Sequence, residues 1–166
     1  MIAIRFLKGE DREKIVHLLE ERGTFSRREI DVATEVIDDA LRFPERGDYQ
    51  VYCACEDEDE LAGYVCFGRI PMTDACYDLY WIAVNKQCAR RGIGRELLFF
   101  TEKASISQGA RKIYVETSSL PAFAAARAFY EKHGYVMTAI LTDFYRIGDH
   151  KMVFMKDFDS TNVSHS

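Results

Sequence analysis

Tyr77 to Leu98, YDLYWIAVNKQCARRGIGRELL, is the stretch on which the reading of the whole chain turns. Strand-forming residues crowd Leu79 to Val84, and Ile93, Leu97, Phe100 and Ala104 then recur at spacings of four, three and four, the repeat of one helix face. A buried strand is therefore expected to pass through the basic turn NKQCARR into a helix that begins at Gly94. The first N–H groups of such a helix have no partner within it, and its dipole adds partial positive charge. Gly92 and Gly94 let an anion approach the backbone, and Arg90, Arg91 and Arg95 add formal charge at the same point. Phosphate suits this arrangement. A Gly-x-Gly standing alone is usually only a tight turn, so the neighbouring strand and arginines carry the reading.

Working outward, the chain before this stretch opens with a short strand, Ala3 to Leu7. An amphipathic helix from about Glu10 to Arg22 follows, with Ile15, Leu18 and Leu19 on one face and Gly23 at its end. Ser26-Arg27-Arg28-Glu29 is a capping box for a second helix, whose buried stripe is Ile30, Ala33, Val36, Ile37, Ala40 and Leu41. Pro44 and Gly47 close it. Tyr49 to Cys55 and Leu61 to Ile70 read as a hairpin across a wet acidic turn, Glu56 to Glu60.

After the central helix stops at Gly109, KIYVET at Lys112 to Thr117 is a strand. Ser118 or Ser119 can cap a helix from Pro121 to Lys132, which Gly134 ends. Tyr135 to Thr142 and Lys151 to Phe158 are the last strands, joined by the loop DFYRIGDH. Hairpins pair antiparallel and strand–helix–strand crossovers pair parallel, so the order predicts an α/β (α+β mixed) fold. Its centre is a single twisted mixed sheet of about seven strands flanked by about four helices.

Composition narrows the classes. With 166 residues, 48% hydrophobic and 30% charged, the chain reads as one globular domain over 1–158 and a polar tail, DSTNVSHS, over 159–166. No apolar run approaches the ~20 residues needed to span a bilayer, and the N-terminus lacks the order of a secretory signal, so a cytoplasmic location is expected. A net charge of −5 argues against nucleic acid. The five cysteines, Cys53, Cys55, Cys66, Cys76 and Cys88, lie mostly in strands and are expected as buried apolar groups, with Cys88 the one open to solvent. No metal site is expected, because nothing completes a tetrahedral set around Cys53-x-Cys55. His17, His133, His150 and His165 accompany no nucleophile motif.

The strand, basic glycine loop and Leu-Leu helix start resemble the core motif of the GNAT N-acetyltransferase superfamily. The resemblance implies that Arg90, Arg91, Gly92, Ile93, Gly94 and Arg95 grip the pyrophosphate of acetyl-coenzyme A. It also implies that Ile82, Ala83 and Val84 hydrogen-bond the pantetheine arm. Ala89 stands where the family usually has Gln or Arg, which removes a side-chain contact and leaves the backbone ones. A second segment, ARAFYEKHGY at Ala126 to Tyr135, resembles the family helix whose tyrosine contacts the cofactor and protonates the leaving thiolate, and Tyr130 is the match. Phe129 is expected in the core. Phe123 replaces the family's usual Asn, with Ser118 or Ser119 as stand-ins.

The activity implied is acetyl transfer from acetyl-CoA to a primary amine, carried by a small molecule or a peptide, in a ternary complex. A phenol with a pKa of about 10 keeps its proton at neutral pH and can give it to a thiolate. Glu116 is the first choice for the base that deprotonates the amine, with Asp78 and Tyr80 as alternatives. The hairpin from Asp143 to Asp149 lines the acceptor pocket in some members. Two rivals stand beside this reading: a CoA-binding sensor without transfer, and an acyltransferase using a longer acyl-CoA. A homodimer is left open, Phe99, Phe100 and Tyr114 being core or interface.

Overall fold

The structure, a computed structural model, describes residues 1–159; the polar tail from 160 lies outside the described residues. Seven strands form one mixed sheet: β1 (Ala3–Phe6), β2 (Gln50–Cys55), β3 (Leu61–Arg69), β4 (Cys76–Val84), β5 (Lys112–Ser118), β6 (Val136–Arg146) and β7 (Asp149–Asp157). Their order is β1-β2-β3-β4-β5-β7-β6, which puts β4 in the middle. The four α-helices are α1 (Asp11–Arg22), α2 (Arg27–Arg42), α3 (Ile93–Ser107) and α4 (Ala124–Lys132). As the crossover argument requires, β4 and β5 pair parallel, whereas β1 with β2, β2 with β3, β5 with β7 and β6 with β7 pair antiparallel. The chain clusters into two compact units, one of Met1–Arg69 with Tyr80–Ala104, the other of Ile70–Leu79 with the residues from Ser105 onward.

The first unit shows why its sequence alternates. Val51, Cys53 and Cys55 of β2 share a face with Tyr64 and Cys66 of β3, because Cys53 pairs with Tyr64 and Val51 with Cys66. These residues pack with Ile15, Leu18 and Leu19 of α1 and Ile30, Ala33 and Ile37 of α2. The opposite face meets α3, where the Phe100 and Tyr52 ring centroids lie 4.5 Å apart. The Ser26 hydroxyl accepts from the Glu29 N–H at 3.2 Å, as the capping box requires, and Gly23 ends α1 in the left-handed conformation at φ 71°.

Asp11 is fully buried, which the sequence did not signal. Burial works against its charge, but two bonds from Arg5 (2.8 and 3.0 Å) and one from the Lys8 N–H (2.7 Å) hold its pKa below the usual carboxylate value. Asp59, in the acidic turn expected to be wet, closes the same network through Arg5 and Lys8. All five cysteines are free and buried, Cys88 included, because Cys88 sits in a 3₁₀ turn after β4 rather than at a loop tip.

Gly63 on β3 permits a close approach. A Cβ there would lie 2.9 Å from the Ala83 carbonyl oxygen, 3.3 Å from Val84 Cα and 3.2 Å from a Leu97 methyl. Backbone cannot yield as a side-chain tip does. Gly63→Ala is therefore expected to cost roughly 1–3 kcal/mol and to lower the thermal midpoint by roughly 2–4 °C per kcal/mol. Differential scanning calorimetry checks this, and an unchanged midpoint would contradict the close approach.

The second unit differs from expectation at its last hairpin. The sequence DFYRIGDH predicts a loop, yet β6 runs to Arg146 and β7 starts at Asp149, leaving Ile147 and Gly148 as the turn. The polar residues that look like loop instead bond within the ribbon. The Asp143 N–H donates to His150 Nδ1 at 2.9 Å, and the Gly148 N–H donates to Asp143 Oδ1 at 2.8 Å. Phe129, expected in the core, is only half-buried, and Tyr130 is the buried residue of α4.

Candidate functional site

In the first unit, β4 delivers the chain to the glycine loop. The Asn85 N–H donates to the Ala62 carbonyl at 2.7 Å, and the Asn85 side chain accepts from the Gln87 N–H at 3.1 Å, starting the 3₁₀ turn Lys86–Cys88. Arg90 and Gly92 then both adopt left-handed backbone, at φ 67° and 79°. For Arg90 this conformation costs about 1–2 kcal/mol, strain of the kind that collects at functional loops. The helix begins one residue earlier than its pattern indicates. Gly92 lies outside it as the cap, its carbonyl accepting from the Glu96 N–H at 3.0 Å, and α3 starts at Ile93.

Ile93 is buried, whereas Arg90, Arg91, Gly92 and Arg95 are exposed, so the loop presents backbone and charge to solvent while its apolar side chain anchors it. A Cβ on Gly92 would meet nothing within 4 Å, leaving room for a ligand against the backbone. The arginines are not equivalent. Arg91 is ion-paired to Glu56 and also points Nη1 at Cys88 Sγ, 3.9 Å away. Arg95 lies over the Phe99 ring at 5.0 Å. Ile82 and Val84 are half-buried and Ala83 buried. Arg22 of α1 donates to the Val84 carbonyl at 3.3 Å. Sequence reasoning missed Glu56 and Arg22, which lie 35 and 62 residues from their partners, too far for any local pattern to announce.

In the second unit, strand register brings three charges to one face. Asp78 pairs with Tyr114, Glu116 with Val153 and Ser118 with Lys151, and side chains two apart share a face, so Asp78, Glu116 and Lys151 point the same way. Lys151 Nζ pairs with Glu116 Oε2 at 2.9 Å and lies 4.2 Å from the Phe144 ring centroid. Burial, aided by the charge of Glu116 and opposed by Lys151, pushes the Asp78 carboxyl up to about 6. Glu116 is exposed and salt-bridged. Asp78 therefore holds its proton closer to neutral pH than an ordinary carboxylate does.

Tyr130 packs edge-on against Phe129 and Tyr135, with centroids 5.4 and 5.8 Å away, and burial pushes its phenol pKa well above 10. Ser118, a cap candidate, donates to the buried Asp149 and accepts from the Leu120 N–H at 3.1 Å; the Ser119 hydroxyl accepts from the His150 N–H at 2.8 Å. Both hydroxyls are thus occupied within the fold. Among the described residues no group of three His, Cys, Asp or Glu side chains is placed to hold a metal ion, and no helix is long and apolar enough to cross a membrane.

Asp78 gives a signed expectation. Its folded pKa lies above the ordinary carboxylate value, so between about pH 4 and pH 6 the native chain keeps a proton that the unfolded chain has released. Stability then falls as pH rises through that window. Asp78→Asn should raise the thermal midpoint at pH 7 and leave it nearly unchanged at pH 3. Equal shifts at both pH values would show that packing, not ionisation, is responsible.

Comparison with known proteins places this geometry. A structure from Desulfovibrio desulfuricans assigned to the GNAT family of acetyltransferases matches with 35% identity and a TM-score of 0.91, over 95% of this chain and 99% of that one. The fold is shared at 19% identity with the PaiA N-acetyltransferase of Thermoplasma acidophilum in complex with coenzyme A (TM-score 0.75, over 95% of this chain and 99% of that one). It is shared, also at 19% identity, with the ribosomal-protein-S18-alanine N-acetyltransferase of Escherichia coli (TM-score 0.74, over 100% and 99%). The architecture is that of an acetyltransferase. Residues 13–135 match the acetyltransferase (GNAT) family model, and the chain belongs to that family. No curated protein matches the sequence closely enough to count as a relative.

Proposed function

We propose that this protein is an N-acetyltransferase that takes its acetyl group from acetyl-CoA and passes it directly to a primary amine. The observation that carries the reading is the loop itself: Arg90 and Gly92 in left-handed backbone, opening α3 under three arginines at the end of the middle strand. Unpaired helix N–H groups and guanidinium groups are the donors that a pyrophosphate accepts from. Arg90, Arg91, Gly92, Ile93, Gly94 and Arg95 would hold it, with Ile82, Ala83 and Val84 bonding the pantetheine amides and polarising the thioester carbonyl.

The chemistry assigns a role to each remaining group. Asp78 takes a proton from the ammonium form of the acceptor, and the free amine nitrogen bonds to the thioester carbon. The C–S bond then breaks, the Tyr130 phenol gives its proton to the departing thiolate, and the second proton of the attacking nitrogen leaves to solvent as the neutral amide forms, the phenolate regaining a proton from solvent. Supporting Tyr130 is its burial, which keeps the proton on oxygen; supporting Asp78 over Glu116 is its raised pKa on a face shared with Glu116 and Lys151.

Free-thiol release from acetyl-, propionyl- and succinyl-CoA, measured with a polyamine, an aminoglycoside, an amino acid and a peptide N-terminus as acceptors, tests the reading. Fastest release with acetyl-CoA and one class of amine is the expected result. Fastest release with a longer donor would make it a different acyltransferase. Tight CoA binding with no release for any amine would make it a sensor, the reading that the departures Ala89 and Phe123 favour.

A further inference from the structure

The acidic turn between β2 and β3, Glu56 to Glu60, takes no part in the chemistry proposed above, and one of its residues is unlike the rest. The Asp57 side chain is 93% exposed, Glu58 and Glu60 are exposed, and Asp59 is held by Arg5 and Lys8. Glu56 is the exception. Its N–H donates to the Glu60 carbonyl at 2.8 Å, which closes the turn, while its side chain is only 25% exposed and meets Arg91 of the glycine loop. Glu56 Oε1 is shut off from water and pairs with Arg91 Nη2, yet no hydrogen bond is aligned on it. A buried carboxylate oxygen left in that state calls for a reason. The guanidinium is engaged in the same way: Nη2 faces Glu56 and Nη1 faces Cys88 Sγ at 3.9 Å, so both terminal nitrogens of the fork that would clasp a phosphate are taken up by the protein itself.

We infer that Glu56 sets the affinity and the selectivity of the donor site through Arg91: it holds the guanidinium, and an anion entering the glycine loop must take the guanidinium from it. This role rests on the proposed reading of the loop as the pyrophosphate site. The contact is close enough to hold Arg91 and aligned poorly enough to release it, since such a pair draws its strength from aligned N–H···O bonds. The rest of the ligand offsets the release. Coenzyme A brings a pyrophosphate diester joined to a pantetheine arm whose amides would bond Ile82 to Val84, whereas free pyrophosphate brings charge alone. Free pyrophosphate also carries more negative charge than the diester, so the Glu56 carboxylate repels it more strongly. Glu56 thus costs small anions more than it costs coenzyme A, and keeps them from occupying an exposed loop under three arginines.

Isothermal titration with coenzyme A and, separately, with inorganic pyrophosphate tests this role. Glu56→Gln keeps the shape and removes the charge, so it should tighten coenzyme A roughly 3- to 10-fold and pyrophosphate by a larger factor. Glu56→Asp keeps the charge and should stay closer to the wild type for both ligands. Asp57→Asn removes one charge from the same turn at an exposed position and should move neither constant by more than about twofold. Losing a merely structural contact cannot tighten binding. Unchanged or weaker coenzyme A binding in folded Glu56→Gln, an equal gain for both ligands, or an equal gain in Asp57→Asn overturns the role of Glu56 and leaves the reading of the loop standing. No binding of either ligand to the wild type or to Glu56→Gln overturns the reading of the loop, and the role of Glu56 with it. If circular dichroism shows Glu56→Gln misfolded, a structure of the wild type with coenzyme A decides. Arg91 moved from Glu56 onto the pyrophosphate supports the role, and Arg91 still paired with Glu56 overturns it.

Discussion

Tyr130→Phe should lower turnover roughly 10²- to 10³-fold and leave the affinity for coenzyme A within about twofold. The substitution removes one oxygen and keeps the ring, so the contacts with Phe129 and Tyr135 persist and the fold is barely disturbed. What would be lost, in the proposed mechanism, is a proton source for a basic thiolate. Burial opposes ionisation of this phenol, so the proton stays in place throughout the range in which the enzyme would work. The same raised pKa means that the neutral form contributes stability fully present below about pH 10 and lost as pH climbs past that value. In Tyr130→Phe that alkaline loss should shrink. Steady-state kinetics beside calorimetric binding separates the two roles: unchanged turnover would remove Tyr130 as the acid, and a parallel loss of binding would make it a wall of the cofactor site instead.

The second large effect belongs to the loop. Arg91→Glu with Gly92→Asp should raise the dissociation constant of coenzyme A roughly 10³-fold or more. Three costs add. A guanidinium donor disappears, and the new carboxylate at position 91 faces Glu56, the present partner of Arg91. Aspartate at position 92 must adopt φ near 79°, strained for a side chain, and sets a negative charge where the helix N-terminus would receive phosphate. Space itself is no obstacle, because nothing lies within 4 Å of a Cβ there, so the double variant should fold. Arg91→Glu alone, which leaves the backbone untouched, should still weaken binding by roughly 10²-fold. Isothermal titration reads both constants, and undiminished binding in a folded double variant would remove the glycine loop as the anion site.

Much of the architecture was legible in local pattern. Alternation along Val51 to Cys55, the Ser26 capping box and the three-and-four spacing after Ile93 are short-range signals, and each element formed where its signal lay. The errors came at turns, where hydrogen bonds and backbone geometry over a few residues overrode what residue type suggests. Asp143 and Gly148 look like loop, yet their hydrogen bonds tie them into the β6–β7 ribbon. Gly94 looks like the start of a helix, but Gly92 carries the left-handed turn and Gly94 already lies in the first helical turn. The candidate chemistry divides the same way. Arginines beside glycines can be read from spacing, whereas the Glu56 contact of Arg91 and the shifted Asp78 depend on strands meeting in a particular register.

The five free, buried thiols set how the chain responds to oxidants and alkylating reagents. Burial pushes the pKa values of Cys53, Cys55 and Cys66 upward, so little thiolate forms at neutral pH even where a reagent could reach it. Modification must wait for the fold to open. Cys53, Cys55 and Cys66 lie in the first unit and Cys76 in the second, so the order in which they are labelled is a timetable of unfolding, written by residues that the native protein keeps silent.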